Sequence, residues 1–173
     1  MKKFLKISSL AILTLFAFNS CGDGKQNENT NDQHVIQEET VEVADDVATA
    51  VNNLTIDSND QMKFTKSELR ATAGSITLTL NHVGQMPKEA MGHNLVILKP
   101  GTDIADFSVK AVGAKDTNYI PESEKGNVIA FTKVLSGGES DTIEFTITEK
   151  GTYDFICSFP GHSSMMKGKL IVE

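Results

Sequence analysis

The chain has 173 residues and a formal net charge of −7, with 39% hydrophobic and 23% charged residues. Its excess of acids lies near the amino terminus, and residues 54–173 together carry a charge of only −3. This carboxyl-terminal stretch is long enough to bury one core. Because it is nearly neutral and has no run of basic residues, we expect no nucleic-acid partner.

The first 21 residues have the parts of an export signal. Three lysines (Lys2, Lys3 and Lys6) precede an apolar stretch, Ile7 to Phe18, which is followed by Asn19-Ser20-Cys21. At roughly a dozen residues the stretch suits a signal peptide and is too short to span a bilayer as a helix. The ending resembles the lipobox of bacterial lipoproteins, which implies that Cys21 is lipidated and becomes the first mature residue. An ordinary secretory peptide with an incidental cysteine is the alternative.

Residues 22–53 have the composition of a tether. They contain eight acids against one base, Lys25, and no aromatic residue. Such a segment cannot bury enough apolar surface to offset the entropy of ordering it. We therefore predict a disordered, extended tether; a short amphipathic helix near 40–51 is the weaker alternative. A lipid at Cys21 would attach the domain to a membrane of the bacterial cell envelope through this tether.

From residue 54 the pattern predicts β-structure. Residues 75–80 and 142–147 alternate apolar and polar side chains, which is typical of half-buried strands. Further strands are predicted in segments rich in β-branched and aromatic residues: 54–57, 61–65, 93–98, 128–134, 152–157 and 168–172. Turn sequences such as Gly137-Gly138 separate them. The fold class is therefore all-β, as a sandwich or Greek-key barrel.

One segment departs from the strand pattern. In 103–112, Ile104, Phe107 and Ala111 recur at helical spacing. We predict a short helical flap there, between two strands.

Four residues of the types found in copper sites occur in two loops. Cys157, His162 and Met166 lie between the last two predicted strands, and His93 lies about sixty residues earlier. Two imidazoles, a thiolate and a weak thioether form the ligand set of mononuclear electron-transfer copper centres. Any one of them alone is more often a surface or core residue. Their joint order and spacing favours the metal site.

Three blocks of the sequence resemble the azurin family of blue copper proteins. They are 59–62 with Phe64, 91–94, and 157–166, supported by 128–130 and 136–139. The Cys-to-His-to-Met spacing of 157–166 is that of azurins, whereas plastocyanins have a shorter loop. The resemblance implies a cupredoxin Greek-key β-sandwich of about eight strands that binds one copper ion.

The resemblance also implies roles for single residues. His93, Cys157 and His162 would be the strong equatorial ligands. Met166 would be the weak axial ligand, with Met165 as the competing thioether, and the carbonyl of Gly92 would approach from the opposite side.

Around these ligands the resemblance implies two further groups of residues. The backbone N–H groups of Asn94 and Phe159 would donate to the thiolate sulfur, and Asn94 would link the two ligand loops. The ring of the C-terminal-loop histidine would reach the surface within an apolar docking patch. The patch comprises Met86, Met91, Phe159 and Met165.

The function implied is one-electron transport rather than catalysis. Family members suggest a c-type cytochrome or a terminal reductase as partner, and we expect a monomer. A copper chaperone or storage protein is the alternative, although those favour Met-rich or paired-Cys sites. A multicopper enzyme would need further ligands, and only His34 and His82 remain. His82 matches a histidine that azurins carry near the site without binding copper.

Two departures from the azurin pattern concern stability. The positions corresponding to the azurin disulfide fall near Asn52 and near 73–75, where there is no cysteine. Leu95 stands where many azurins carry a buried tryptophan.

Overall fold

A computed structural model describes residues 52–173. The predicted export signal with Cys21, and the predicted tether up to residue 51, lie outside the described residues. None of the helices within 52–173 has the length and apolar character needed to cross a membrane.

Residues 52–173 form nine strands, two short α-helices and two 3₁₀ helices. The strands are β1 Asn53–Asn59, β2 Lys63–Phe64, β3 Glu68–Ala71, β4 Gly74–His82, β5 Val96–Leu98, β6 Val128–Phe131, β7 Ser140–Ile147, β8 Gly151–Ile156 and β9 Lys167–Val172. The α-helices are α1 Lys88–Met91 and α2 Ile104–Ala111, and the 3₁₀ helices are Lys115–Thr117 and Glu122–Asn127.

Two sheets pack face to face. One has the strand order β2-β1-β4-β7, and the other has the order β3-β9-β8-β5-β6. The β1–β4 and β3–β9 pairs are parallel, and the other pairs are antiparallel. In β4 the fully buried Ile76, Leu78 and Leu80 alternate with half-buried polar residues, as the period-two pattern predicts. This confirms the predicted all-β cupredoxin-type sandwich.

The helical flap is confirmed at α2. Asp103 caps the helix because its carboxylate accepts hydrogen bonds from the backbone N–H groups of Ala105 and Asp106. Phe107 and Ala111 are fully buried in a second apolar cluster on the outer face of β5. Both faces of β5 are therefore covered by apolar clusters, which explains why 95–98 is apolar at every position. Val96 and Leu98 face the second cluster, whereas Leu95 and Ile97 enter the main core.

The strand predictions differ from the structure at four places, of which the first is the predicted strand 128–134, which ends at Phe131. The short β3 was not predicted, because Glu-Leu-Arg-Ala contains no β-branched or aromatic residue. The predicted strand 61–65 is limited to Lys63–Phe64, since a turn at 59–62 precedes it. The predicted strand 93–98 begins only at Val96, because His93 and Asn94 leave the sheet to enter the site described below.

The end of the sandwich where β1 begins is fastened by Asn52. Its side-chain amide donates to the Ser75 carbonyl at 2.7 Å, and its Oδ1 accepts from both the backbone N–H and the hydroxyl of Thr72. Its own carbonyl accepts from Thr77 N–H at 2.7 Å. Hydrogen bonds therefore join the segments between which azurins would have a disulfide. Asn53, predicted as the last tether residue, already pairs in β1.

Candidate metal centre

Three loops converge at the end of the sandwich where β1 finishes. They are the turn 59–62, the segment 92–94 before β5, and the loop 157–166 between β8 and β9. His93 is fixed by paired backbone hydrogen bonds with Leu135, at 3.2 and 2.8 Å. The β8–β9 loop is closed by a bond from Cys157 N–H to the Met166 carbonyl at 2.9 Å.

Three donor atoms from these loops surround one point. His93 Nδ1 lies 3.2 Å from His162 Nδ1, and Cys157 Sγ lies 4.0 and 3.7 Å from these two nitrogens. A point in their plane is about 2.1 Å from each atom, which matches metal bonds to imidazole nitrogen and thiolate sulfur. Within 52–173 this is the one cluster of His, Cys, Asp or Glu with the spacing of a metal site. The geometry and donor set therefore fit a copper ion.

Both imidazoles are prepared to act as neutral ligands. His93 Nε2–H donates to the Asn59 carbonyl at 2.9 Å, which leaves the Nδ1 lone pair directed at the other two donor atoms. Burial lowers the pKa of His93 to about 4, and burial also lowers the pKa of His162. At neutral pH both rings are uncharged, as metal binding requires.

Cys157 lies in a fully buried position that opposes its ionisation. Burial raises the pKa of the thiol to about 12, while backbone hydrogen bonds from Asn94 and Phe159 lower it in part. These are the two N–H donors that the azurin resemblance places at the sulfur. A thiolate here consequently requires the positive charge of a metal.

Asn94 ties the two ligand loops together through its side chain. Its Oδ1 accepts from Ser158 N–H at 2.9 Å, and its Nδ2 donates to the Ser158 hydroxyl and to the Asn118 carbonyl, both at 2.8 Å. Every polar atom of this buried amide is used, so the bonds favour one relative position of the loops.

The two residues expected as axial partners are both buried. Met166 is fully buried and its N–H bonds to the His162 carbonyl at 2.8 Å, whereas Met165 is 56% exposed. A Cβ added to Gly92 would lie within 3 Å of Lys88, Val134 and Phe159, so a larger residue would displace this loop. The axial roles themselves stay predictions.

The expected docking patch is partly exposed. Met86 is 38% exposed, Met165 is more open, and Met91 and Phe159 are half-buried. His162 is 4% exposed as a residue, so it is largely buried and not open at the surface as expected, and its ring lies 4.7 Å from the Phe159 ring, measured between centroids.

Sequence reasoning missed three neighbours of His93. Asn59 and Asp60 were recognised only as a matching block, although Asn59 supplies the acceptor that orients the His93 ring. His82 was given no role, yet it is 1% exposed and its ring lies 4.4 Å from that of His93. Two consecutive polar residues at a strand end, Asn59 and Asp60, were the signal in the sequence that could have pointed to these contacts.

Comparisons with known proteins agree with this geometry. Residues 50–173 match the family model described as copper binding proteins, plastocyanin/azurin family. Azurin from Pseudomonas fluorescens biotype B is 42% identical over 125 residues, covering 69% of this chain and 96% of the azurin. The azurin Az-iso2 from Methylomonas sp. strain J superimposes with a TM-score of 0.64 at 34% identity, covering 72% of this chain and 99% of its own.

A second kind of relative is longer. Outer membrane protein H.8 from Neisseria gonorrhoeae is 39% identical over 120 residues, which cover 67% of this chain and only 64% of that protein. The family match, the azurin identities and the buried His-Cys-His cluster agree on one assignment. The chain belongs to the plastocyanin/azurin family of copper-binding proteins, with one copper ion as its cofactor.

Proposed function

We propose that the protein is a one-electron carrier with a type 1 (blue) copper site. His93, Cys157 and His162 would hold the ion, with Met166 and the carbonyl of Gly92 on the two axial sides. The observation that carries this proposal is the triangle of buried donor atoms at 3.2 to 4.0 Å. Copper bound there supplies a Cu(II)/Cu(I) couple.

The surroundings of the ligands favour electron transfer over catalysis or metal delivery. The three ligand residues are at most 4% exposed, which leaves no open face for a substrate. The Asn94–Ser158 and His93–Leu135 bonds resist rearrangement of the ligand loops. A fixed, closed site suits a carrier whose geometry changes little between oxidation states. A chaperone would instead need ligands that a partner can reach.

The docking patch of Met86, Met91, Phe159 and Met165 would bring His162 close to a partner. Thioethers and an aromatic ring make an adaptable apolar contact that requires no fixed charge pairs. We propose a redox protein with an apolar face, such as a c-type cytochrome or a terminal reductase, and a monomeric carrier.

The docking proposal can be tested with Met165→Lys, because an exposed lysine at this position should leave the ligands in place. The visible spectrum should be unchanged and electron self-exchange should slow, since two patches of like charge would meet. Thr55→Lys, on an exposed position of β1, is the matched control. Equal rates for the two variants would assign electron exchange to another face.

We further propose that Cys21 anchors the protein by lipid to a membrane of the cell envelope. The lipobox-like sequence supports this, and so does the name of the Neisseria relative, an outer membrane protein. Mass spectrometry of the mature amino terminus tests it: an unlipidated first residue other than Cys21 would refute the anchor.

The central experiment is a visible spectrum of the copper-loaded chain. We expect one copper per chain and the intense thiolate-to-copper band of a blue site. Cys157→Ser should abolish the band, whereas Cys21→Ser, which changes the chain's other cysteine, should keep it. Copper binding without an intense band in the unmodified chain would contradict the proposed site.

A further inference from the structure

The turn after β1 reaches the metal centre through two consecutive residues. Asn59 orients the His93 ring from its carbonyl, and the turn is closed by hydrogen bonds from Gln61 N–H and Met62 N–H back to Asn59. The next residue, Asp60, directs its carboxylate to the segment 85–86 and to His82.

Both oxygens of the Asp60 carboxylate accept hydrogen bonds from backbone N–H groups. Oδ2 accepts from Gln85 N–H at 2.7 Å, and Oδ1 accepts from Met86 N–H at 3.2 Å. A Cβ on Gly84 would overlap this carboxylate, so a larger residue there would have to displace the Asp60 side chain. The hydrogen bond from Gln85 is the main cause that lowers the pKa of Asp60, which is therefore ionised at neutral pH.

The same carboxylate lies against His82, whose ring packs at a tilt against the ring of His93. Asp60 Oδ1 is 3.3 Å from His82 Nε2, and His82 Nδ1 is 3.3 Å from the Leu135 carbonyl. His82 thus lies between Asp60 and Leu135, with Nε2 facing the carboxylate at ion-pair distance but without a hydrogen bond, and its ring contacts that of His93 at 4.4 Å between centroids.

We propose that Asp60 is a positioning residue of the metal centre: it holds His82 against the His93 ring and fixes the loop that carries Met86. The inference rests on the proposed copper function. One side chain thereby joins a ligand imidazole to the docking patch, because Met86, whose N–H it binds, is part of that patch. Its negative charge also stabilises the more positive oxidised site.

The test compares Asp60→Asn with Asp57→Asn in the copper-loaded full chain. Asp57 lies in β1, three residues before Asp60, and its carboxylate accepts from Asn81 Nδ2 rather than approaching a histidine. Both variants remove one negative charge, so they separate a local effect from the change in overall charge.

We expect the reduction potential to rise in Asp60→Asn by clearly more than in Asp57→Asn. In paramagnetic NMR spectra the ring protons of His93 should shift in Asp60→Asn, while those of His162 should not. Equal changes of potential in the two variants, or an unmoved His93 signal, would overturn the inference. An unmodified chain without a blue band would instead overturn the proposed function before any variant is compared.

A second measurement needs no copper. In metal-free Asp60→Ala, amide hydrogen exchange at Gln85 and Met86 should accelerate roughly tenfold or more, because hydrogen bonds to a charged acceptor are lost. Core amides such as that of Leu170 should keep their rates. Unchanged exchange at Gln85 and Met86 would show that the carboxylate does not fix this loop.

Discussion

The two ends of the β-sandwich are held together by different kinds of contact. Where β1 begins, the Asn52 side chain joins neighbouring segments by hydrogen bonds to Thr72 and Ser75. Both its oxygen and its nitrogen have partners, and these bonds are exposed to solvent. Where β1 finishes, His93, Cys157 and His162 bring three buried donor atoms to within 3.2 to 4.0 Å of one another, and the Nδ1 lone pair of His93 faces a second imidazole and a thiol. The first end is held by hydrogen bonds within the protein, whereas the second has the donor set and spacing of a metal site.

This difference predicts which end depends on conditions. A ligand that binds only the folded state adds to the free energy of unfolding, and protons compete with a metal for the same buried donor atoms. The contribution of the metal end to the free energy of unfolding should therefore change with copper and pH. The contribution of the Asn52 contacts should not.

The largest expected effect is that of copper itself. Copper loading should raise the free energy of unfolding by about 4 kcal/mol when free copper is a thousandfold above its dissociation constant. Thermal unfolding with and without copper measures this. Cys157→Ser should lose most of the gain, and a variant that keeps it would show that copper binds elsewhere.

The second largest effect should be the competition between protons and copper for the Cys157 sulfur. Since the pKa of the Cys157 thiol is about 12, each copper bound near neutral pH displaces one proton. Copper affinity should then fall about tenfold for each unit of pH decrease between roughly pH 8 and 5. Competition titrations with a chelator of known affinity measure the slope; a slope of zero would mean that the thiol is already ionised without metal.

The copper-free protein should have its own pH dependence. Because the pKa of His93 is about 4 when folded and 6.5 when free, the unfolded chain binds more protons between these values. The free energy of unfolding should therefore decrease as pH falls from 6.5 towards 4. Denaturant unfolding of His93→Gln should show a weaker dependence over this range, and an equal dependence would assign it to other groups.

Two adjacent methionines, Met165 and Met166, allow the axial ligand at the metal end to be tested. Met166→Leu should keep the blue band but raise the reduction potential, because a weak donor to Cu(II) is lost. Met165→Leu, at the adjacent exposed position, should shift the potential much less. Voltammetry distinguishes them, and reversed effects would place the axial ligand at Met165.

The smallest effect should occur at the end of the sandwich where β1 begins. Asn52→Ala removes three side-chain hydrogen bonds and should lower the free energy of unfolding by about 1–3 kcal/mol, without changing the visible spectrum. Asn53→Ala, at the next and exposed position, is the control for denaturant unfolding. Equal losses in both variants would show that the Asn52 contacts do not stabilise this end.

The sequence by itself determined the sheet and the chemistry of the site. Alternation in 75–80 and 142–147 requires one buried face, so these strands form wherever a core is available. The order and spacing of His93, Cys157 and His162 predicted the ligand set, because three of the four proposed side-chain ligands share one short loop whose geometry is local.

Only the tertiary structure decided which polar residues surround that site. Asn59, Asp60 and His82 are distant in sequence from the β8–β9 loop, and their contacts with His93 or with each other arise from the pairing of β1 with β4. Likewise, nothing local shows that Asn52 meets Thr72 and Ser75. Side-chain hydrogen bonds between strands depend on sheet register and twist, which are properties of the packed sandwich and not of any single segment.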